Sequence, residues 1–282
     1  MEAEKIEEKI KKSLIQSGFP LELETTSILE EKDWLIFPNE YIYDDDACEE
    51  HEVDVISLKT VERLTSDKKF KLQTRFKIII ECKKSEKHPW VFFMRNKQAF
   101  DKAEKMIKHC TNFGTSKPFR LPDHKYYDDL DYFASIINYN KLELFSWSEK
   151  STNYCQAFKD PNKENQIYCA IKSIIRPLKT ILRKERLDFS RGRWENPIIN
   201  TYVPIIVLDG LLFQGKLLKK DLEITSAHYI PLVINSGDNG VGRILIHIVT
   251  INYLAEFLDR LNLDINKLQG EFSNIEFIKP TN

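Results

Sequence analysis

The stretch from Phe76 to Lys84, FKIIIECKK, decides how the rest of the chain is read. Phe76, Ile78, Ile79 and Ile80 favour extended backbone and fill a pleated surface well, so the run is a buried strand. It closes on Glu81, Cys82 and Lys83. A carboxylate and an ammonium buried at a strand end cost stability unless solvent, a partner or chemistry offsets them. Residues i and i+2 share one face of a strand. Glu81 and Lys83 therefore point together, while Cys82 packs with Ile80, Ile78 and Phe76.

A second strand, EVDVIS (52–57), is placed to meet it. Val53 and Val55 alternate with Glu52, Asp54 and Ile56, which puts Asp54 on the opposite face from the valines. A polar excursion through Asp67 and Lys68 separates the two strands, so they read as an extended hairpin. Side by side, Asp54 and Glu81 converge on one point. Hard divalent cations such as Mg²⁺ favour carboxylate and carbonyl oxygens supplemented by water. A neighbouring lysine orients an attacking water or stabilises charge that builds on phosphorus.

These residues resemble the PD-(D/E)xK nuclease superfamily, with Asp54 in EVDVIS and Glu81-Cys82-Lys83 closing the strand. The opening IEEKIKKSLIQSGF is similar to the start of Holliday-junction resolvases and Mrr-like restriction enzymes. Val53 stands where the proline of the superfamily's name would be. The resemblance spans about the first hundred residues and implies a restriction-endonuclease-like α/β fold. That fold is a mixed central sheet flanked by helices, here with an irregular insertion at 111–160 and additional C-terminal strands. It further implies hydrolysis of DNA phosphodiesters, leaving a 5′-phosphate and a 3′-hydroxyl. Asp54, Glu81 and the carbonyl of Cys82 would hold Mg²⁺ or Mn²⁺, and Lys83 would position the water. Members often place another glutamate on the first helix, and Glu7 is the choice here, with Glu8 and Glu4 as alternates. Defence against foreign DNA, or processing of DNA ends and junctions, is the implied role. RNA stays open as a substrate, as does a non-catalytic module that binds nucleic acid or a protein partner.

Composition agrees with a globular domain. The chain has 282 residues, 42% hydrophobic and 30% charged, with a formal net charge of −1. That length fits one elaborated domain spanning 1–282. No apolar run approaches the ~18 residues that span a bilayer. The amino terminus lacks the apolar core of a signal peptide, and five cysteines without paired spacing fit a reducing cytoplasm. Oligomerisation or a partner subunit is left open.

Charge is uneven locally. Residues 44–54 hold seven acids and no Lys or Arg, whereas 172–193 hold eight Lys or Arg against two acids. Lys172, Arg176, Lys179, Arg183 and Arg186 recur at steps of four and three, one stripe on a continuous helix that suits a phosphate backbone. Lys84 is a further phosphate-contact candidate, and Arg191, Arg193 and Trp194 extend the same surface. Plainer accounts stand beside each of these. For Asp54, Glu81 and Lys83 the plain account is a strand-end salt bridge at the surface, worth ~0–1 kcal/mol. Glu7, the basic stripe and the acidic run could be solvated faces. Cys48, His51, His109 and Cys110 lack the paired spacing of a zinc site.

Along the chain, Ile6, Ile10 and Leu14 make a helix that stops at Gly18. FPLELETTSIL (19–29) alternates and reads as a strand, followed by another at 33–43. Residues 97–109 read as helix, and a longer one starts near Asn165 with Ile167, Ile171, Ile174, Leu178 and Leu182 as its apolar side. Pro177 should kink or split it. Strands at 202–208, 211–217, 229–234 and 243–249 follow, then a helix at 251–262. The turn 236–242 is a hairpin tip, and the aromatics of HPWVFF (88–93) pack on the sheet or line the cleft.

Overall fold

Helix α1 (Glu2–Gln16) and helix α2 (Phe19–Glu31) open the chain, separated only by a bend at Ser17 and Gly18. The strand expected at 19–29 is thus a helix. Pro20 falls in the first turn of α2, where its missing N–H costs nothing. Leu21, Thr25 and Leu29 then recur every four residues and are buried, whereas Leu23 is exposed. The apparent alternation of Leu21–Glu24 is too short to outweigh that helical stripe.

The computed structural model describes residues 2–64, 71–94, 111–114, 119–120, 126–127, 142–144, 150–160, 162–190, 198–218, 221–235, 243–272 and 276–277. The helix expected at 97–109, the excursion through Asp67 and Lys68, the tip 236–242, and His109, Cys110, Arg191, Arg193 and Trp194 lie outside them.

Strands β1 (Leu35–Asp44), β2 (Glu49–Leu64) and β3 (Lys71–Met94) form an antiparallel meander. The β2–β3 pairing is the expected hairpin. Three short strands lie in the expected insertion: β4 (Thr111–Gly114), β5 (Phe119–Arg120) and β6 (Tyr126–Tyr127). Strand β7 (Ser151–Gln156) follows. Because β4 and β7 both join the main sheet, the ends of that insertion belong to the core architecture.

Helix α3 (Gln166–Ser190) runs unbroken through Pro177 rather than splitting there. Its apolar side, Ile167, Ile171, Ile174, Leu178 and Leu182, is packed on the sheet. That burial offsets the one hydrogen bond the proline removes.

Strand β8 (Ile198–Leu218) merges the two strands expected at 202–208 and 211–217. It runs parallel to β3 along most of its length. Strand β9 (Asp221–Ser226), absent from the sequence-based expectations, pairs with β8. Strands β10 (Tyr229–Asn235) and β11 (Arg243–Thr250) form an antiparallel pair. A single 3-10 turn at Ile251–Tyr253 leads into helix α4 (Leu254–Phe272). Residues Glu276–Phe277 form β12, which pairs with β5.

Among the described residues, nine strands make one mixed sheet, so the protein is mixed α/β. Strand β3 pairs with β2 and then β7 on one side and with β8 on the other. Helices cover both faces. One core joins Leu21 and Leu29 of α2 and Phe257, Leu258 and Leu261 of α4 to Val55, Phe76, Ile78, Ile80 and Cys82. The other joins α3 to Ile79, Trp90, Phe92 and Ile206. The aromatics Trp90 and Phe92 are therefore core. Phe76, Ile78, Ile80 and Cys82 share one face, as the strand periodicity demands. Val53 departs from it and packs on the α3 side, where β2 has run past the last rung of its ladder with β3.

Candidate active site

The β2–β3 ladder has its terminal rung at Val55 opposite Ile80. One step beyond, Asp54 meets the Glu81–Cys82 peptide. Asp54 Oδ2 accepts the Cys82 N–H at 2.6 Å, so a side chain ends the ladder where a backbone carbonyl would otherwise continue it. Cys82 enters the site through this amide. Its thiol faces the opposite way, 3.6 Å from Thr25 Oγ1 of α2, and burial pushes it far above the ordinary thiol range.

Glu81 is 4% exposed. Its carboxylate pairs with Lys83 and bonds to the Ser173 side chain on α3. Burial, and then the negative charge of Asp54, push Glu81 up to about 7, against the pull of Lys83 and Ser173. Burial also raises Asp54, while the Cys82 N–H and Lys83 pull it down and Glu52 adds to the rise. For Lys83, burial disfavours the ammonium, but Glu81 and then Asp54 outweigh it and hold the amine above its usual range. Two acids and one amine thus lie within each other's field, with charge left uncompensated on the acidic side.

A third acid, Glu22, stands in the field of this group. Glu22 of α2 is raised by burial and then by Asp54 and Glu52, and lowered by Lys83. Glu7 and Glu8 are exposed on α1, and neither acts on Asp54 or Glu81 among the causes that shift them. The signal for Glu22 was present in Pro20 and the spacing of Leu21, Thr25 and Leu29. Reading the segment as a strand hid it.

No family model, curated protein or solved structure matches the chain.

Helix α3 and the start of β2 wall a cleft of about 330 Å³, lined by Glu50, His51, Glu52, Glu164, Cys169, Lys172, Ser173, Arg176 and Pro177. Pro177 has no N–H to give the Ser173 carbonyl four residues back, and Ser173 is the residue that holds Glu81. Of the basic stripe, Lys172 and Arg176 line this cleft. Lys172 also lies over the Tyr168 ring at 5.2 Å, and Arg176 stands 4.0 Å from Glu49. Lys179 is half-buried farther along α3.

Farther along the stripe, Arg183 is neutralised in the fold, as is the adjoining Lys184. Arg183 pairs with Asp44 at 2.7 Å and with Asp46, and Lys184 pairs with Asp45 at 3.0 Å. Arg183 and then Thr180 hold the Asp44 carboxyl well below the usual range. The acidic run thus folds onto α3. Lys84 is likewise engaged, donating to Ile15 O of α1 at 3.0 Å and pairing with Glu86 at 2.9 Å. Cys48 is exposed on the β1–β2 turn.

Among the described residues, no three His, Cys, Asp or Glu side chains lie close enough together to hold a metal ion. The donor set nevertheless suits a hard cation. Mg²⁺ is commonly bound by one or two carboxylates with waters completing its shell, and Asp54 and Glu81 supply two carboxylates, both raised first by burial.

Proposed function

We propose that the chain is a divalent-metal-dependent nuclease that hydrolyses DNA phosphodiesters. The observation that carries the proposal is the trio of buried Glu81 with half-buried Asp54 and Lys83 where the β2–β3 ladder ends, beside a cleft lined by Lys172 and Arg176 of α3.

In this reading Asp54 and Glu81 would hold Mg²⁺ or Mn²⁺, and Glu22 would order its waters. Such a cation polarises a phosphoryl oxygen and lowers the pKa of bound water. Lys83 would hold the attacking water and neutralise charge on the phosphorane-like transition state. Ser173 would position Glu81. Lys172 and Arg176 would hold flanking phosphates, which position a substrate without reading its sequence. The restriction-endonuclease-like class is the reading that this arrangement of acids and lysine supports best.

The test is cleavage of plasmid, linear and single-stranded DNA, and of RNA, with Mg²⁺ or Mn²⁺. Asp54→Ala and Lys83→Ala should each reduce cleavage by two orders of magnitude or more, about the size of losing one electrostatic stabiliser. Undiminished cleavage by either variant refutes the assignment.

A second reading has an observation of its own. Asp54 is already bonded to a backbone amide and Glu81 to a lysine, so the trio could be a purely structural lock in a binding module. Such a module shows no saturable Mg²⁺ or Mn²⁺ site, and Glu81→Gln leaves its titration unchanged.

A further inference from the structure

Helix α1 is out of keeping with the rest of the molecule. Every side chain described on it, from Ile6 to Ile15, is exposed. Ile6, Ile10 and Leu14 are 57%, 52% and 44% exposed. At about 100° per residue these three lie within one narrow stripe. The carboxy-terminal end is tied down, because Lys84 Nζ donates to Ile15 O. A helix of 15 residues is marginal in water without a packed face. Something should cover this stripe.

The sequence along the helix says what fits. Its first half carries Glu2, Glu4, Glu7 and Glu8 against Lys5, and its second half carries Lys9, Lys11 and Lys12 with no acid. One end is acidic and the other basic. Two copies laid side by side in the same direction would set like charges together. Laid in opposite directions, each acidic half meets a basic half, and the arrangement is closed by a two-fold axis. Centred on Ile10, that pairing packs Ile10 on itself and sets Ile6 of one copy against Leu14 of the other. Glu7 of one copy then comes within a turn of Lys11 of the other. The only ion pair described within α1, Lys12 with Glu8 at 3.5 Å, is an exposed intrahelical contact of small worth, and it does not compete with this arrangement.

We propose that α1 is a self-association surface, through which two copies of this chain pair antiparallel along Ile6, Ile10 and Leu14. A pair of such helices buries less than about 1,200 Å² in total, the small end of specific interfaces, so the dimer is weak and concentration-dependent.

Sedimentation velocity of the full chain at low salt, over a range from about 1 to 100 μM, reads the association directly. The wild type should shift from monomer to dimer within that range. Ile10→Lys should raise the dissociation constant at least about tenfold by burying an unpaired charge at the centre of the interface. At concentrations where the wild type is monomeric, the variant's thermal midpoint should match the wild type's, since the Ile10 side chain is exposed in the monomer. The charge pattern has its own arm. The E7K/E8K variant and the K11E/K12E variant should each be monomeric alone, and mixing the two should restore a dimer. A wild type that stays monomeric throughout overturns the proposal. So does undiminished dimerisation of each charge variant by itself. An Ile10→Lys variant that loses thermal stability without changing mass also overturns it, because the stripe is then covered by the chain's own segments.

Discussion

Replacing Glu81 by glutamine should make the protein more stable at alkaline pH, with an effect that grows across a defined window. Glu81 ionises near 7 in the fold and at the ordinary 4.5 when unfolded. Below that window both states hold the proton and the site costs nothing. Above it both states are ionised, and the fold carries a buried charge that the unfolded chain would rather solvate. Between the two values the folded state binds more protons, so stability falls as pH rises. At about 1.4 kcal/mol per pH unit, the cost is complete at pH 8 and amounts to roughly 3 kcal/mol. Glutamine keeps an oxygen for Lys83 and for Ser173 but never ionises. Urea unfolding of wild type and Glu81→Gln at pH 4.5, 6, 7 and 8 therefore gives a difference in stability that widens by up to ~3 kcal/mol. A saturating divalent cation should close most of the gap, because binding at a hundred times Kd restores about 2.7 kcal/mol to the wild type alone. Two parallel pH–stability curves, unaffected by Mn²⁺, would refute the idea that Glu81 is a buried charge held for a cation.

Other expectations are tied to single contacts. Protons compete with the cation at Glu81, so the apparent Mn²⁺ dissociation constant should rise about tenfold for each pH unit below ~7 and flatten above it, as read by titration calorimetry. Glu22→Gln should weaken that titration and Glu7→Gln should leave it unchanged, which distinguishes Glu22 from the helix acid the sequence suggested. The double variant D44N/D46N frees Arg183 from its partners, and DNA affinity should then fall more steeply with salt, by roughly 0.7–0.9 in the logarithmic slope for one added cation. A Cβ at Gly210 would stand 2.7 Å from Ser85 O, two residues beyond Lys83 on β3. Gly210→Ala should thus cost ~1–3 kcal/mol in urea unfolding and reduce cleavage with it, because the site strand must shift to admit the methyl.

Much of the site was legible in residues 76–84, because strand alternation is a local rule, whereas in 52–57 it failed at Val53, past the last rung of the ladder. The period of two alone assigns Glu81 and Lys83 to one side and Cys82 to the other, and the burial of Phe76, Ile78 and Ile80 agrees. The stripe of α3 from Ile167 to Leu182 was equally plain, since five apolar residues at steps of three and four have no other use. Where the reading failed, a short pattern fitted two periods. In 19–29 the pair Leu21 and Leu23 suggests alternation while Leu21, Thr25 and Leu29 suggest a helix. Only packing against Cys82 and Trp34 shows which set is buried.

What the sequence determined by itself is the chemistry within reach: which strand carries an acid and an amine two residues apart, and which helix carries positive charge; the strand itself runs on to Met94. What only the tertiary structure decided is which charges meet. Glu22 lies 32 residues from Asp54 along the chain, and Asp44 lies 139 residues from Arg183. Coulomb interactions depend on distance in space and on how much water remains between the groups. Neither quantity is set until the sheet has brought β2 beside β3 and laid α3 across them.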